Sequence, residues 1–401
     1  MDYSFTGADV QPRVPASEDA NQRQAAKATT RTSWPVAAFT IMQSILFLGH
    51  WLLFRTWTSF WALDAKIAQI LAATLFVLSV TFTIGSTLAF RYSNGLVRLL
   101  YKVSAIWLGI LNFLVWAACV CWAADLFFRL TMPHASLAVR PWIAITLFAA
   151  AVLISLGGFV NAGMIRERHL TVTLPNLPAA WRGRKALLMS DLHLGHVNGA
   201  GFARRIARLA ERLNPDIIFI AGDLYDGSKV DADGIAAPLF EMNPPLGVYF
   251  AEGNHEDYGD AAGYDRALRR GGMRVLRGEQ VEIEGLRIIG VPYADTVYPL
   301  HLRTFLDGLG LDASTPSILL NHVPNRLPIV EEAGVSLQVS GHTHGGQVSP
   351  FTWFARREFG RFTYGLQRHG RLQVLISSGV GTWGPPMRVG TAPEVVLVTF
   401  A

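Results

Sequence analysis

His342 and His344 stand two residues apart in SGHTHGGQ, residues 340–347, directly after the apolar run Val335, Leu337 and Val339. At a strand end, positions i and i+2 project to the same side, so the two imidazoles reach toward one point. Alone, the pair also reads as a polar turn. The same kind of ending recurs four more times. SDLHLG carries Asp191 and His193, GDLYDG carries Asp223 and Asp226, EGNHED carries Asn254, His255 and Glu256, and NHVPN carries Asn321 and His322. Two Asp carboxylates, one Asn carbonyl and four imidazoles, with one histidine to spare, form an N/O donor set without thiolate. Such a set suits a borderline-hard divalent metal such as Mn, Fe or Zn. Seven ligands are too many for one ion. If one carboxylate bridges, they supply two sites of four protein contacts each. Two cations about 3.5–4 Å apart clamp both oxygens of an in-line phosphoryl displacement and sharpen a bridging water into hydroxide. His342 and His344 then serve different metals.

Short apolar runs must position these groups. KALLMS (185–190), DIIFIA (216–221), GVYFA (247–251), LRIIGV (286–291), SILL (317–320), VSLQV (335–339), LQVLI (372–376) and VVLVT (395–399) read as strands. Phe202, Ile206, Leu209 and Leu213 repeat at helical spacing over 201–213. Strands alternating with helices argue an α/β domain, and the closer spacing after Leu286 argues a partly mixed, two-sheet arrangement. Ligand sites in such sheets gather at the carboxyl ends of strands, where all five polar clusters fall.

The N-terminal half is of a different kind. Hydrophobic residues make up 51% of the 401-residue chain and charged residues only 16%. Residues 1–33 are polar and read as a disordered tail with no signal peptide. Four apolar runs follow, at 34–54, 67–90, 103–124 and 142–164, each long enough to cross a hydrocarbon core. The expected organisation is therefore a tail (1–33), four transmembrane helices (34–165) and a catalytic domain (166–401). Trp34, Trp51, Trp57, Trp61 and Trp142 near the run ends fit an interfacial belt, and His50 fits an interfacial position. No charged residue is expected at mid-membrane, which leaves a transporter reading unsupported. Arg91, Arg98, Lys102, Arg166 and Arg168 on one side outweigh Arg55, Lys66, Arg129 and Arg140 on the other, which puts both termini in the cytoplasm.

The net charge of +5 belongs to the membrane half: residues 1–165 hold eleven Lys/Arg against six Asp/Glu, and residues 166–401 hold twenty-four of each. The second half has no overall field for nucleic acid, so none is expected as a partner and a nuclease on this scaffold is the lesser reading. Arg204, Arg205, Arg208 and Arg212 read as a solvated helix face. Both cysteines, Cys119 and Cys121, sit in the third apolar run, which excludes a disulfide framework and a CxxC site.

DLH, GDLYD, GNHE, NH and GHTH, in this order, resemble the five signature blocks of the calcineurin-like metallophosphoesterases. SSGVGTWGPPMR (377–388) followed by PEVVLV resembles the bacterial membrane-associated branch, and four helices ahead of such a domain are similar to transmembrane proteins with a metallophosphoesterase domain. The resemblance implies a four-layered sandwich, two mixed sheets flanked by helices, in the bacterial inner membrane. It implies two divalent metal ions, the first held by Asp191, His193, Asp223 and His344. Asp223 would bridge, and Asn254, His322 and His342 would complete the second. His255 would donate a proton to the leaving oxygen, with Asp226 orienting its imidazole. The activity implied is hydrolysis of a phosphomonoester or phosphodiester by metal-bound hydroxide, and the anchor makes a lipid-linked substrate an expectation. A non-enzymatic metal-bound interaction module is the alternative from another class. One departure from the family's protein phosphatases stands out: the position after Asp226, an arginine there, is Gly227 here, with Arg388 as a substitute phosphate grip or a structural turn residue. The stretch 351–362, FTWFARREFGRF, reads as a segment that dips into the headgroup layer or as an ordered loop.

Overall fold

The computed structural model describes residues 34–401 except 62, 133, 135, 312 and 313. The expected tail, 1–33, lies outside the described residues. Four long helices come first: α1 (Trp34–Trp61), α2 (Ala65–Ala89), α3 (Gly95–Thr131) and α4 (Ser136–Ala162). Asp64 and Asn94 cap α2 and α3 through their side chains.

Three helices among the described residues are long and apolar enough to cross a membrane, Ala65–Ala89, Gly95–Thr131 and Leu137–Ala162, rather than the four expected. α1 is not among them, and its described part carries Gln43, His50 and Arg55. It packs into the bundle all the same, through Leu46, Leu53 and Phe60. Its polar groups are spent on neighbours: Gln43 Nε2 donates to Ser79 O, and Trp122 Nε1 donates to Thr56 Oγ1. His50 is buried rather than interfacial, and its Nε2 accepts from Trp107 Nε1 at 2.9 Å. Trp51 and Trp142 are exposed as a belt requires, whereas Trp57 and Trp61 pack edge-on against each other inside the bundle.

The expected run 103–124 lies within a 37-residue helix, α3, roughly 55 Å long and so longer than a hydrocarbon core of about 30 Å. Asp125, just beyond that run, is buried in the bundle. Arg140 grips both its oxygens, at 2.6 and 2.9 Å, and Arg129 lies 2.9 Å away. The pair joins α3 to α4, and the partners offset the cost of a buried charge.

The second half builds two six-stranded mixed sheets. In the first, β1 (Arg166–Val172), β12 (Glu394–Phe400), β2 (Lys185–Met189), β3 (Ile217–Ala221), β4 (Val248–Ala251) and β5 (Arg274–Val275) lie side by side in that order. β12 runs antiparallel to β2; β2, β3 and β4 are parallel. In the second, the order is β10 (Gly365–His369), β11 (Leu372–Ile376), β9 (Leu337–Ser340), β8 (Ser317–Leu320), β7 (Leu286–Gly290) and β6 (Glu279–Ile283).

Continuous apolar runs make strands buried on both faces. Ile217, Phe219 and Ala221 point between the sheets toward Ile318, Leu320 and Val339. Ile218 and Ile220 point outward against α5 (Ala200–Leu213), through Ala203, Ile206 and Leu209. The second sheet's outer face, with Ile289, Leu319 and Val374, is covered by Leu302, Leu306 and Val330 from helices. The arrangement is helices, sheet, sheet, helices, as the resemblance implied. The expected strands occur, with ends shifted by up to two residues. β1, β5, β6 and β10 lie outside the expected runs, and all four are edge strands.

Candidate metal centre

β2, β3 and β4 in one sheet and β8 and β9 in the other present their carboxyl ends to one edge, and each end carries one polar cluster. Backbone bonds sew these ends together: Asp191 N donates to Gly222 O, His193 N to Asp223 O, and Gly341 N to His322 O. Asp191, His193, Asp223, His342 and His344 all have φ between 48° and 68°. The left-handed region is sparsely populated by non-glycine residues, costs free energy, and clusters at functional sites.

The side chains form two nests that share an oxygen. In the first, His344 Nε2 is 3.0 Å from His193 Nε2 and 3.4 Å from Asp191 Oδ1, and His193 Nε2 is 3.8 Å from Asp223 Oδ2. In the second, His322 Nε2 is 3.1 Å from the same Asp223 Oδ2, and His342 Nδ1 is 2.9 Å from Asn254 Oδ1. Asp191, His193 and His344, and separately Asp223, His322 and His342, lie close enough to hold a metal ion. All seven expected ligands are thus brought together, with Asp223 between the groups. His255 also approaches, its Nε2 4.0 Å from Asp223 Oδ2, and forms a third such group with His193 and Asp223.

The donor chemistry fits cations. His322 Nε2 sits beside Asp223 Oδ2 without making a hydrogen bond, although it is fully buried. His322 Nδ1 donates to Ala221 O at 2.8 Å, which leaves Nε2 to face the centre. Burial pushes His193 and His344 well below the usual histidine range, and burial with the neighbouring His322 charge takes His342 down to about 4. Neutral imidazoles are the form a metal requires. Burial raises Asp191 to about 6. Burial opposes ionisation of Asp223, but the His322 charge outweighs it and holds Asp223 below the usual range. Burial lowers His322, yet the Asp223 charge raises it to about 10, so a proton occupies the place a cation would take.

The surroundings differ from expectation in three places. His255 Nδ1 bonds the main-chain carbonyl of Asp226 at 2.9 Å, not its carboxylate. The Asp226 carboxylate turns instead to Ser228 N and Oγ and to His196 N. His196, whose place just after SDLHLG reads from the sequence as a surface turn or a neighbour of the ligands, is buried and bridges Ser228 Oγ and Tyr92 O, where the α2–α3 connection meets the domain. Arg388 is fully buried and donates to the carbonyls of His344, Gly379 and Gly381, so it is a structural residue and not a phosphate grip. Gly227 has φ +81°, and a Cβ there would lie 2.9 Å from His255 O, so this loop leaves no room for an arginine.

Glu256 has a role that its strand-end motif alone does not assign. Its carboxylate accepts from Asp223 N, Tyr225 N and Gly253 N, tying the β3 and β4 loops together. The signal available was its place two residues after Asn254. Burial and the Asp223 charge raise it to about 8 against those three donors.

A calcineurin-like phosphoesterase family model matches residues 184–346, which span all five clusters. The chain is 37% identical over 264 residues to an uncharacterized metallophosphoesterase of Aquifex aeolicus, covering 62% of this chain and 97% of that one. It is 31% identical over 274 residues to a transmembrane protein with metallophosphoesterase domain from Danio rerio, covering 64% of this chain and 62% of that one. A Campylobacter jejuni uncharacterized metallophosphoesterase is 29% identical over 277 residues, 66% of this chain and 71% of its own. The chain belongs to the calcineurin-like metallophosphoesterases. It is a metal-dependent phosphohydrolase, and the family works with divalent metals.

Proposed function

We propose that the protein is a membrane-anchored dinuclear phosphoesterase whose catalytic domain, residues 166–401, faces the cytoplasm at a bacterial inner membrane. The observation that carries the dinuclear reading is the position of Asp223 Oδ2, 3.1 Å from His322 Nε2 on one side and 3.8 Å from His193 Nε2 on the other. Asp191, His193, Asp223 and His344 would hold one cation, and Asp223, Asn254, His322 and His342 the other. When bound, two such ions polarise a phosphoryl oxygen and acidify water. Mn, Fe and Zn suit this donor set.

The chain's own groups do the rest. His255 is fixed through Nδ1 by Asp226 O, so Nε2 is directed at the centre and is the proton donor to the leaving oxygen of a phosphomonoester or phosphodiester. Trp383 is 53% exposed and its ring lies 5.3 Å from that of His255, an apolar wall at the cleft.

A lipid-linked ester is the favoured substrate. α6 (Phe351–Phe359) buries none of its residues and exposes Phe351, Trp353 and Phe354 beside Arg356 and Arg357. It starts two residues after Ser349, whose carbonyl accepts from Asn112 Nδ2 of α3, so this aromatic and basic face flanks the bundle. Phe359 at its far end packs 5.9 Å from the ring of His342. The test is hydrolysis of lipid-linked and nucleotide-linked phosphate esters by the full chain loaded with Mn, Zn or Fe. Preferential turnover of lipid-linked esters is expected. Turnover of nucleotide-linked esters alone would overturn the lipid reading, and no hydrolysis of any ester would favour the interaction module.

A further inference from the structure

One short segment, residues 385–389, touches the membrane helices on one side and the metal cleft on the other. Met387 is fully buried in a notch between α3 and α4. The notch exists because both helices carry glycine there. A Cβ on Gly158 would lie 2.6 Å from Met387 Cγ and 2.6 Å from Val389 Cγ2, and one on Gly109 would lie 3.0 Å from Met387 Cε. Backbone and amide bonds fix the same segment to α4. Arg388 N donates to Gly158 O at 3.0 Å, and Asn161 Nδ2 donates to Arg388 O at 2.9 Å and to Thr391 O at 2.7 Å.

From Arg388 the connection continues inward. Its Nη1 donates to His344 O at 2.9 Å, and its Nη2 donates to Gly381 O at 2.6 Å. Gly381 N in turn donates to Asp191 O at 2.9 Å. Both residues at the far end belong to the first nest of candidate ligands. We propose that Gly158 and Asn161 of α4 are positioning residues for the metal centre. They act through Met387 and Arg388 on His344 and Asp191, so the membrane helices set metal affinity as well as holding the domain. The inference rests on the metal centre proposed above.

Neighbouring glycines provide a matched test. Gly157 and Gly158 lie in the same helix, and a Cβ on Gly157 meets nothing within 4 Å. Alanine favours the helix itself at either position, so any difference between G157A and G158A reports contact with the 385–389 segment. The full chain in detergent is stripped of metal and titrated with Co²⁺, with the visible d–d absorption band as readout and thermal unfolding run in parallel. G157A should bind Co²⁺ as the unaltered chain does. G158A should bind about tenfold more weakly, the usual scale for losing a group that orients a ligand. Adding M387A and V389A to G158A should make room and restore affinity, and N161A alone should weaken Co²⁺ binding with a shifted band. Unchanged affinity in G158A, or a loss that M387A and V389A together do not restore, overturns the inference. Absence of Co²⁺ binding by the unaltered chain would overturn the metal reading itself and is seen separately.

Discussion

Arg388 Nη1 donates to the main-chain carbonyl oxygen of His344 at 2.9 Å, and the whole Arg388 side chain is buried. Its guanidinium also serves Gly379 O and Gly381 O, so three carbonyls around the cleft depend on one planar fork. Burial lowers its pKa to about 10, which still leaves it charged at neutral pH. A lysine keeps the charge but cannot spread three bonds in that plane. Arg388→Lys should therefore weaken metal binding and lower thermal stability. Arg388→Ala, which leaves buried carbonyls unpaired, should cost about 3 kcal/mol or more. Thermal or denaturant unfolding checks both, and unchanged stability in the alanine variant would remove the structural role.

His255→Ala should lower turnover about a hundredfold to ten-thousandfold, the usual worth of a general acid. Metal content should stay near that of the unaltered chain, because the other seven donors remain. The decisive contrast uses leaving groups. An activated aryl phosphate needs little protonation and should lose far less rate than an alkyl ester. Equal losses for both esters would count against proton donation by His255, and loss of metal in the variant would make it a ligand.

Metal affinity should fall in acid. Asp191 is raised to about 6 by burial, so in the metal-free chain its carboxyl holds a proton below that pH and releases it above. A cation must displace that proton as well as the one His322 holds below about 10, so apparent affinity should fall about tenfold for each unit of acidity between pH 8 and 6 and more steeply, about a hundredfold per unit, below pH 6. Co²⁺ titrations between pH 5 and 8 measure this. A flat profile across pH 6 would contradict the assignment of Asp191.

Replacing Phe351, Trp353 and Phe354 together by serine should leave hydrolysis of a soluble ester within about twofold while lowering hydrolysis of a lipid-linked ester in vesicles by about tenfold or more. Their side chains are exposed, and Thr352, Ala355 and Phe359 are the partly buried residues of the helix, so the fold should survive. Equal rates on the vesicle substrate would assign α6 to another task.

How far the sequence spoke depended on whether the deciding forces were local. Ile217–Ala221 and Ser317–Leu320 were legible because short apolar runs bounded by Asp, Gly or Pro fix a strand without help. The seven ligands were legible because each sits at such a strand end. β1, RERHLTV, was invisible because an edge strand owes its shape to its partner, here β12, and not to its own pattern. His50, His196 and Arg388 were misjudged or left open for a related reason. Their surroundings come from Trp107, Tyr92 and the 379–381 turn, which lie 57, 104 and about nine residues away. Run length alone also did not reveal that polar residues of α1 are satisfied inside the bundle, as Gln43 Nε2 is by Ser79 O.

Elemental analysis of the full chain, stripped and then refilled with Mn, Fe or Zn, tests the central claim most directly. About two equivalents of metal per chain are expected, falling to one or none in Asp223→Ala, since Asp223 Oδ2 serves both nests. A chain that holds no metal after refilling with any of the three, or that keeps two without Asp223, would contradict it.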